Sequence, residues 1–180
     1  MIQWIIYFFA YLMAGLTLKI GDDLLDFLDR PSLAWYPLGM SGILFGVLMT
    51  LSEWDLVLLS AIVIGVLLSG KVNHRQFGVG FMAIIVILLI LGLPAISDLL
   101  NWFALLFMLF MASVLDEKGN DWTDKATNPL ASMFFKYRFT LKVSALLLAI
   151  PWLGFLPTAI GLLIFDVGYE LAGWMTRHLI

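Results

Sequence analysis

The sequence predicts an all-α polytopic membrane bundle of about seven transmembrane helices, with the N-terminus outside and the C-terminus in the cytoplasm. Three observations predict it. The first is composition: 62% of the 180 residues are hydrophobic and 13% are charged, against about 25% charged in soluble domains. The second is pattern. The apolar residues form long runs without alternation, and hydrocarbon admits only helices or closed barrels. The third is charge. All ten basic residues (Lys19, Arg30, Lys71, Arg75, Lys118, Lys125, Lys136, Arg138, Lys142 and Arg177) stand at the ends of apolar runs or in the gaps between them. Alternate crossing puts every one on the same side. The remaining gaps hold only Glu53, Asp55 and Asp98. Cytoplasmic faces are enriched in Lys and Arg, so the basic side is the inner one.

The first span is expected over 3–21, because fifteen largely apolar residues follow Gln3 before Lys19 interrupts them. Met1-Ile2-Gln3-Trp4 lacks the basic start of a secretory signal, and no small-residue cleavage site follows. This helix is therefore expected to stay. Further spans are expected over 33–51, 55–71, 77–96, 98–115, 139–155 and 157–176. The last two are crowded, since Pro151, Gly154 and Pro157 fill the turn between them. A short hairpin re-entering from the cytoplasm would place Arg177 on the same side.

The outer connections are tight: Ser52 to Asp55, Pro94 to Asp98, and Gly154 to Pro157. The inner ones are longer, at 22–32, 71–76 and 116–138. A spanning helix takes roughly 20 residues, so the spans use nearly the whole chain. One bundle domain over 1–180 is expected, in the cell membrane. The tryptophans lie mostly near span ends, as an aromatic belt requires. Gly42 and Gly46 form a GxxxG spacing that permits close helix approach. The net charge of −3 offers no basic surface for nucleic acid. The absence of cysteine excludes disulfides, thiolate metal sites and cysteine nucleophiles.

Chemistry can reside in three places. The first is Asp22-Asp23-Leu24-Leu25-Asp26, continued by Asp29-Arg30-Pro31. If the first helix continues past the membrane, Asp22, Asp26 and Asp29 share one face. Carboxylates one turn apart repel unless a cation sits among them. Mg²⁺ held by one or two carboxylates and a substrate phosphate would relieve that repulsion. A solvated acidic face, partly neutralised by Lys19 and Arg30, explains the same residues.

The second place is Asp116-Glu117-Lys118-Gly119-Asn120-Asp121, at the start of the longest polar connection. An ordinary polar loop accounts for it equally simply. Lys71, Lys118, Lys136 and Arg138 supply cations on the same side. The positive-inside rule explains them, and contact with phosphate oxygens would use them. The third is Asp166 and Glu170, one turn apart on the last span. Near the bilayer midplane such carboxylates mark a pathway or a buried pair; near the inner interface they are unremarkable. His74 and His178 are single and stand at span ends.

Taken in order, the acidic segments resemble the motifs of the UbiA superfamily of membrane prenyltransferases. Asp22-Asp23-Leu24-Leu25-Asp26 with Asp29-Arg30-Pro31 and Gly39 is similar to the family's first Asp-rich motif. Lys71 with Gly78 and Gly80 is similar to its next conserved stretch. Asp116-Glu117-Lys118-Gly119-Asn120, with Asp121 beside it, resembles the second motif. The chain departs from the pattern in four ways. Asp22 replaces the leading Asn, Asp29 comes one residue early as the third Asp, Asn120 replaces a carboxylate, and about seven spans replace the usual nine.

The resemblance implies a membrane-embedded transferase acting on an isoprenoid diphosphate, with a lipid-like acceptor. Asp22, Asp23, Asp26, Asp116, Asn120 and Asp121 would hold Mg²⁺, with Asp22, Asp26 and Asp116 as the catalytic set. Lys71, Lys118, Lys136 and Arg138 would contact the diphosphate. Two other readings stand beside it: a transporter or ion pathway using Asp166 and Glu170, and a non-catalytic subunit of a membrane complex. The lipid bilayer is the expected partner in every case. A membrane-protein partner or a homo-oligomer is left open.

Overall fold

The computed structural model describes residues 2–70, 72, 74–123, 134 and 138–179, without the side chains of 120–123 and 179. The described residues contain seven α-helices and no strand. They are α1 (Ile2–Asp26), α2 (Pro31–Leu51), α3 (Glu53–Leu68), α4 (Phe77–Leu91), α5 (Leu99–Thr123), α6 (Phe139–Leu148) and α7 (Leu156–Leu179). A 3₁₀ turn, Leu153–Phe155, precedes α7. Four stretches are long and apolar enough to cross a membrane: Ile2–Asp26, Pro31–Leu51, Leu99–Gly119 and Leu153–His178. Along α5, the exposed Asp98 and Lys118 are twenty residues or about 30 Å apart, the thickness of a hydrocarbon core.

Several boundaries differ from expectation. Helix α1 runs five residues further, so Asp22, Asp23 and Asp26 are helical rather than part of a loop. It stops because the chain turns at Phe27 and Leu28, whose N–H groups both close onto the Asp23 carbonyl. Asp29 then takes a left-handed φ of 48°, which a short polar side chain tolerates. Asp29 therefore leaves the helical face it was expected to share. Helix α5 runs on to Thr123, through the first part of the expected loop. Helix α4 ends early, where Gly92 adopts φ 82° and its N–H caps the Leu88 carbonyl. Helix α6 ends at Leu148 instead of 155. Pro151 lacks an N–H and would clash with the carbonyl four residues back, so the helix cannot pass it. Helix α7 is one continuous element of 24 residues.

The chain divides into two compact units. Unit 1 holds Met1–Ser52, His74–Pro94 and Ile160–Ile180; unit 2 holds Glu53–Asn73 and Ala95–Ala159.

In unit 1, α1 and α2 are antiparallel neighbours. The Ser41 hydroxyl donates to the Ala14 carbonyl at 3.2 Å, and Leu25 packs with Ala34 and Leu38. Helix α4 runs parallel to α2, and α7 runs parallel to α1. Glycines set these crossings. A Cβ on Gly15 would overlap the Phe165 carbonyl, and one on Gly168 would overlap the Leu12 carbonyl. Likewise, a Cβ on Gly42 would overlap the Gly80 backbone. Small residues let backbones approach this closely, which substitutes for the hydrophobic drive that lipid removes. The result brings the end of α1, the starts of α2 and α4, and the end of α7 together at one pole. Lys19, Arg30, Arg75 and Arg177 all belong to that pole.

In unit 2, α3 and α5 run parallel. Glu53 accepts from the Ser97 N–H (2.7 Å) and hydroxyl (2.6 Å), and the Trp102 indole N–H donates to the Glu53 carbonyl at 3.1 Å. Further along, a Cβ on Gly65 would overlap the Ser113 hydroxyl. Helix α6 runs back against α5, and Phe155 reaches Trp54 with ring centroids 6.2 Å apart. Glu53, Asp55 and Asp98 therefore share one pole, while Asp116, Glu117, Lys118, Arg138 and Lys142 share the other.

Candidate functional site

The tip of α1 carries the densest polar network of unit 1. Asp22, Asp23 and Asp26 occupy its last two turns, so the spacing that places them is helical. Lys19, one turn earlier, reaches both of the first two: its Nζ lies 3.0 Å from Asp22 and 2.8 Å from Asp23. Helix α7 supplies the rest. The Tyr169 hydroxyl donates to Asp22 at 3.4 Å, the Thr176 hydroxyl donates to Asp23, and the Lys19 ammonium stands 5.1 Å from the Tyr169 ring centroid. Asp23 is buried, which is sustainable because a cation and a hydroxyl both face it. Asp26 lies further out and is 3.2 Å from Nε2 of His74, which precedes α4. The parallel register of α1 and α7 is what delivers Tyr169 and Thr176 to this tip.

The second acidic segment is in unit 2, and its leading carboxylate has a structural partner. Asp116 accepts the N–H groups of Thr140 (2.9 Å) and Leu141 (2.7 Å). Those are donors that the first turn of a helix leaves without intrahelical acceptors. Asp116 thus caps α6 from another helix, on its positive end. Beside it, Arg138 lies 3.0 Å from the buried Glu117, with Arg138 itself at a left-handed φ of 50°. Lys142 is buried with its ammonium 5.2 Å from the Phe139 ring centroid, a cation–π placement. Lys118 is exposed. Asn120 and Asp121 lie in α5, with side chains outside the described set. Lys71 and Lys136 are outside the described residues.

The donor chemistry of the two acidic segments decides how each meets a divalent ion. Asp22 and Asp23 share the one ammonium of Lys19, Asp26 faces His74, and both oxygens of Asp116 receive backbone N–H groups. Among the described residues, no group of three or more His, Asp or Glu side chains gathers as a metal site would require. In this arrangement the carboxylates do not form a ready-made Mg²⁺ site.

Asp166 is half-buried and Glu170 is exposed. Phe165 packs at Gly15, and Gly173 packs at Lys19. Asp166 therefore lies about one turn deeper than Lys19, while Glu170 is near its level. At the opposite pole of unit 2, Asp55 is 1% exposed and accepts the Thr158 hydroxyl at 2.9 Å.

Sequence reasoning did not find Tyr169, Thr176, His74 or Arg177 as neighbours of the acidic tip. The one signal pointing to Tyr169, Thr176 and Arg177 is the matching set of glycines on α1 and α7, which fixes the register between those helices. Compared with known proteins, the chain matches no family model, no curated protein and no solved structure.

Proposed function

We propose that the chain is a prenyltransferase-like protein of the cell membrane that takes an isoprenoid diphosphate at its cytoplasmic face. Seven spans, an outer N-terminus and an inner C-terminus go with this proposal. What supports the sidedness is the segregation of charge within each unit. Basic residues occupy one pole of unit 1 and one pole of unit 2, and Lys and Arg favour the cytoplasm.

The observation that carries the proposal is the network at the tip of α1. Lys19, Asp22, Asp23, Tyr169 and Thr176 form a largely buried polar network at the end of apolar helices. A diphosphate would meet the polar groups while its prenyl tail lies along the apolar faces. Excluding water from the reacting carbon would protect a carbocation-like centre. Asp22 and Asp23 would hold Mg²⁺ only once Lys19 is displaced from them, and the ion would then supply positive charge to the diphosphate. Lys118 and Arg138, expected as phosphate contacts, belong to unit 2, where Arg138 pairs with Glu117, and Lys71 and Lys136 lie outside the described residues.

The test is titration of farnesyl diphosphate into the detergent-solubilised chain, with and without Mg²⁺. Binding that strengthens with Mg²⁺ and weakens at least tenfold in Asp22→Asn is expected. No binding in either condition removes the proposal. Asp22→Asn is a cleaner probe than Asp116→Ala, because Asp116 also caps α6.

A second reading, an ion or proton pathway, draws support from the continuity of α7. Asp166 is interior to a helix of 24 residues, where an ionisable group usually has a purpose. Proton flux into proteoliposomes should then fall in Asp166→Asn; equal flux in the variant and the native chain dismisses it.

A further inference from the structure

Lys19 sits where α1 passes the buried Gly173 of α7, and its stem fills space that the glycine leaves open. Its Cε lies 3.3 Å from the point where a Cβ would stand, with the Arg177 Nη2 3.4 Å from the same point. From there the ammonium reaches Asp22 at 3.0 Å and Asp23 at 2.8 Å, and the Tyr169 ring centroid is 5.1 Å away. Tyr169 donates to the same Asp22 oxygen that Lys19 reaches. Thr176 donates to the other oxygen of Asp23. The Lys19 and Asp23 side chains are 17% and 12% exposed, so this ion pair lies largely out of water.

Two features of the chain call for a cation at this place. Asp22 and Asp23 stand in the last two turns of α1, where the helix presents its negative end and a carboxylate is disfavoured. Asp23 is also buried, and a buried charge needs a partner close by. Lys19 stands three and four residues before them, the spacing at which helical side chains meet. Lysine ahead of the acid is the weaker order for such a pair in a lone helix, so the contacts from α7 strengthen the hold. Mg²⁺ bridging the same carboxylates would need their oxygens at about 2.0–2.1 Å, in the gap that the ammonium already fills.

We propose that Lys19 is the resident cation of the α1 tip: its ammonium holds the gap between Asp22 and Asp23 and shuts that gap to divalent ions in the free chain. The lock regulates the same site as the function proposed above. Only its release, in which a diphosphate draws the ammonium away, rests on that reading. Tyr169 and Thr176 fix the two carboxylates from α7, so the gap keeps its width. Without the ammonium, two adjacent carboxylates, one of them buried, would repel each other and recruit a cation from solution.

The experiment titrates Mn²⁺ into the full chain in detergent and reads free Mn²⁺ by electron paramagnetic resonance, with Mg²⁺ added as competitor. Lys19→Gln removes the charge and Lys19→Arg keeps it. A double variant, Lys19→Gln with Asp22→Asn, tests that any gain uses the tip. Circular dichroism checks that each variant folds. The native chain and Lys19→Arg are expected to bind Mn²⁺ at least tenfold more weakly than Lys19→Gln, and Asp22→Asn is expected to cancel the gain. If Lys19→Gln is destabilised, Mn²⁺ should raise its unfolding midpoint and leave the native midpoint in place, since an ion that binds the folded state stabilises it.

Equal Mn²⁺ affinity in the native chain and Lys19→Gln overturns the lock, as does absence of binding by both or a gain that survives Asp22→Asn. A gain in Lys19→Gln, with no farnesyl diphosphate binding by the native chain, supports the lock while the isoprenoid function fails. Farnesyl diphosphate binding that Mg²⁺ strengthens, with no gain in Lys19→Gln, overturns the lock and leaves that function standing.

Discussion

Asp116 shows how a single carboxylate can look catalytic in sequence and serve architecture in the fold. Its two oxygens satisfy two N–H groups at the start of α6. Replacing it by Ala should cost about 2 kcal/mol of stability, since buried donors lose their acceptor. Unfolding of the detergent-solubilised variant measures this, and an unchanged midpoint would show the cap to be unimportant. Thr158 makes the matching case at the other pole of unit 2. Thr158→Val removes a donor from the buried Asp55 carboxylate and should cost about 1–3 kcal/mol. At this scale the sequence was partly legible. Three carboxylates on the tip of α1, with Lys19 near them, follow from helical spacing. That Tyr169 and Thr176 face the same carboxylates depends on a tertiary register about 150 residues away, which no local pattern encodes.

At the scale of elements, helix contact in unit 1 depends on places where a side chain would not fit. Gly168→Ala puts a methyl group into the Leu12 carbonyl, so the helices must separate, at a cost of about 1–3 kcal/mol. Gly78→Ala is the control, because a Cβ there meets nothing within 4 Å. It should be neutral or stabilising by up to about 1 kcal/mol, since Gly weakens a helix relative to Ala. Equal destabilisation by both would mean that the crossings do not depend on close approach. All seven helices were legible as apolar runs, but their ends were not. Composition does not register that α6 ends at Leu148, seven residues before the expected end of its span, or that α5 continues through Asp116 to Thr123. In both cases backbone hydrogen bonding sets the boundary, while the apolar run had set the expectation.

For the whole molecule, each compact unit separates its charges by itself. Unit 1 carries its basic residues at the pole where α1 and α7 end. Unit 2 carries Lys118, Arg138 and Lys142 at the pole opposite Glu53, Asp55 and Asp98. This one-sidedness was the strongest signal in the sequence, because it follows from counting gaps and needs no tertiary knowledge. The candidate site was legible only as two acidic segments. Its added components, including the α7 face that completes the first segment, required the fold.

The proposed topology puts the basic pole of each unit in the cytoplasm. Because the chain contains no cysteine, single cysteines can report sidedness without a background. Gln3→Cys and Ser97→Cys are expected to react with a membrane-impermeant maleimide on intact cells. Arg30→Cys and Lys118→Cys are expected to react only after permeabilisation. Labelling of Arg30→Cys or Lys118→Cys on intact cells, or protection of Gln3→Cys and Ser97→Cys, would contradict it.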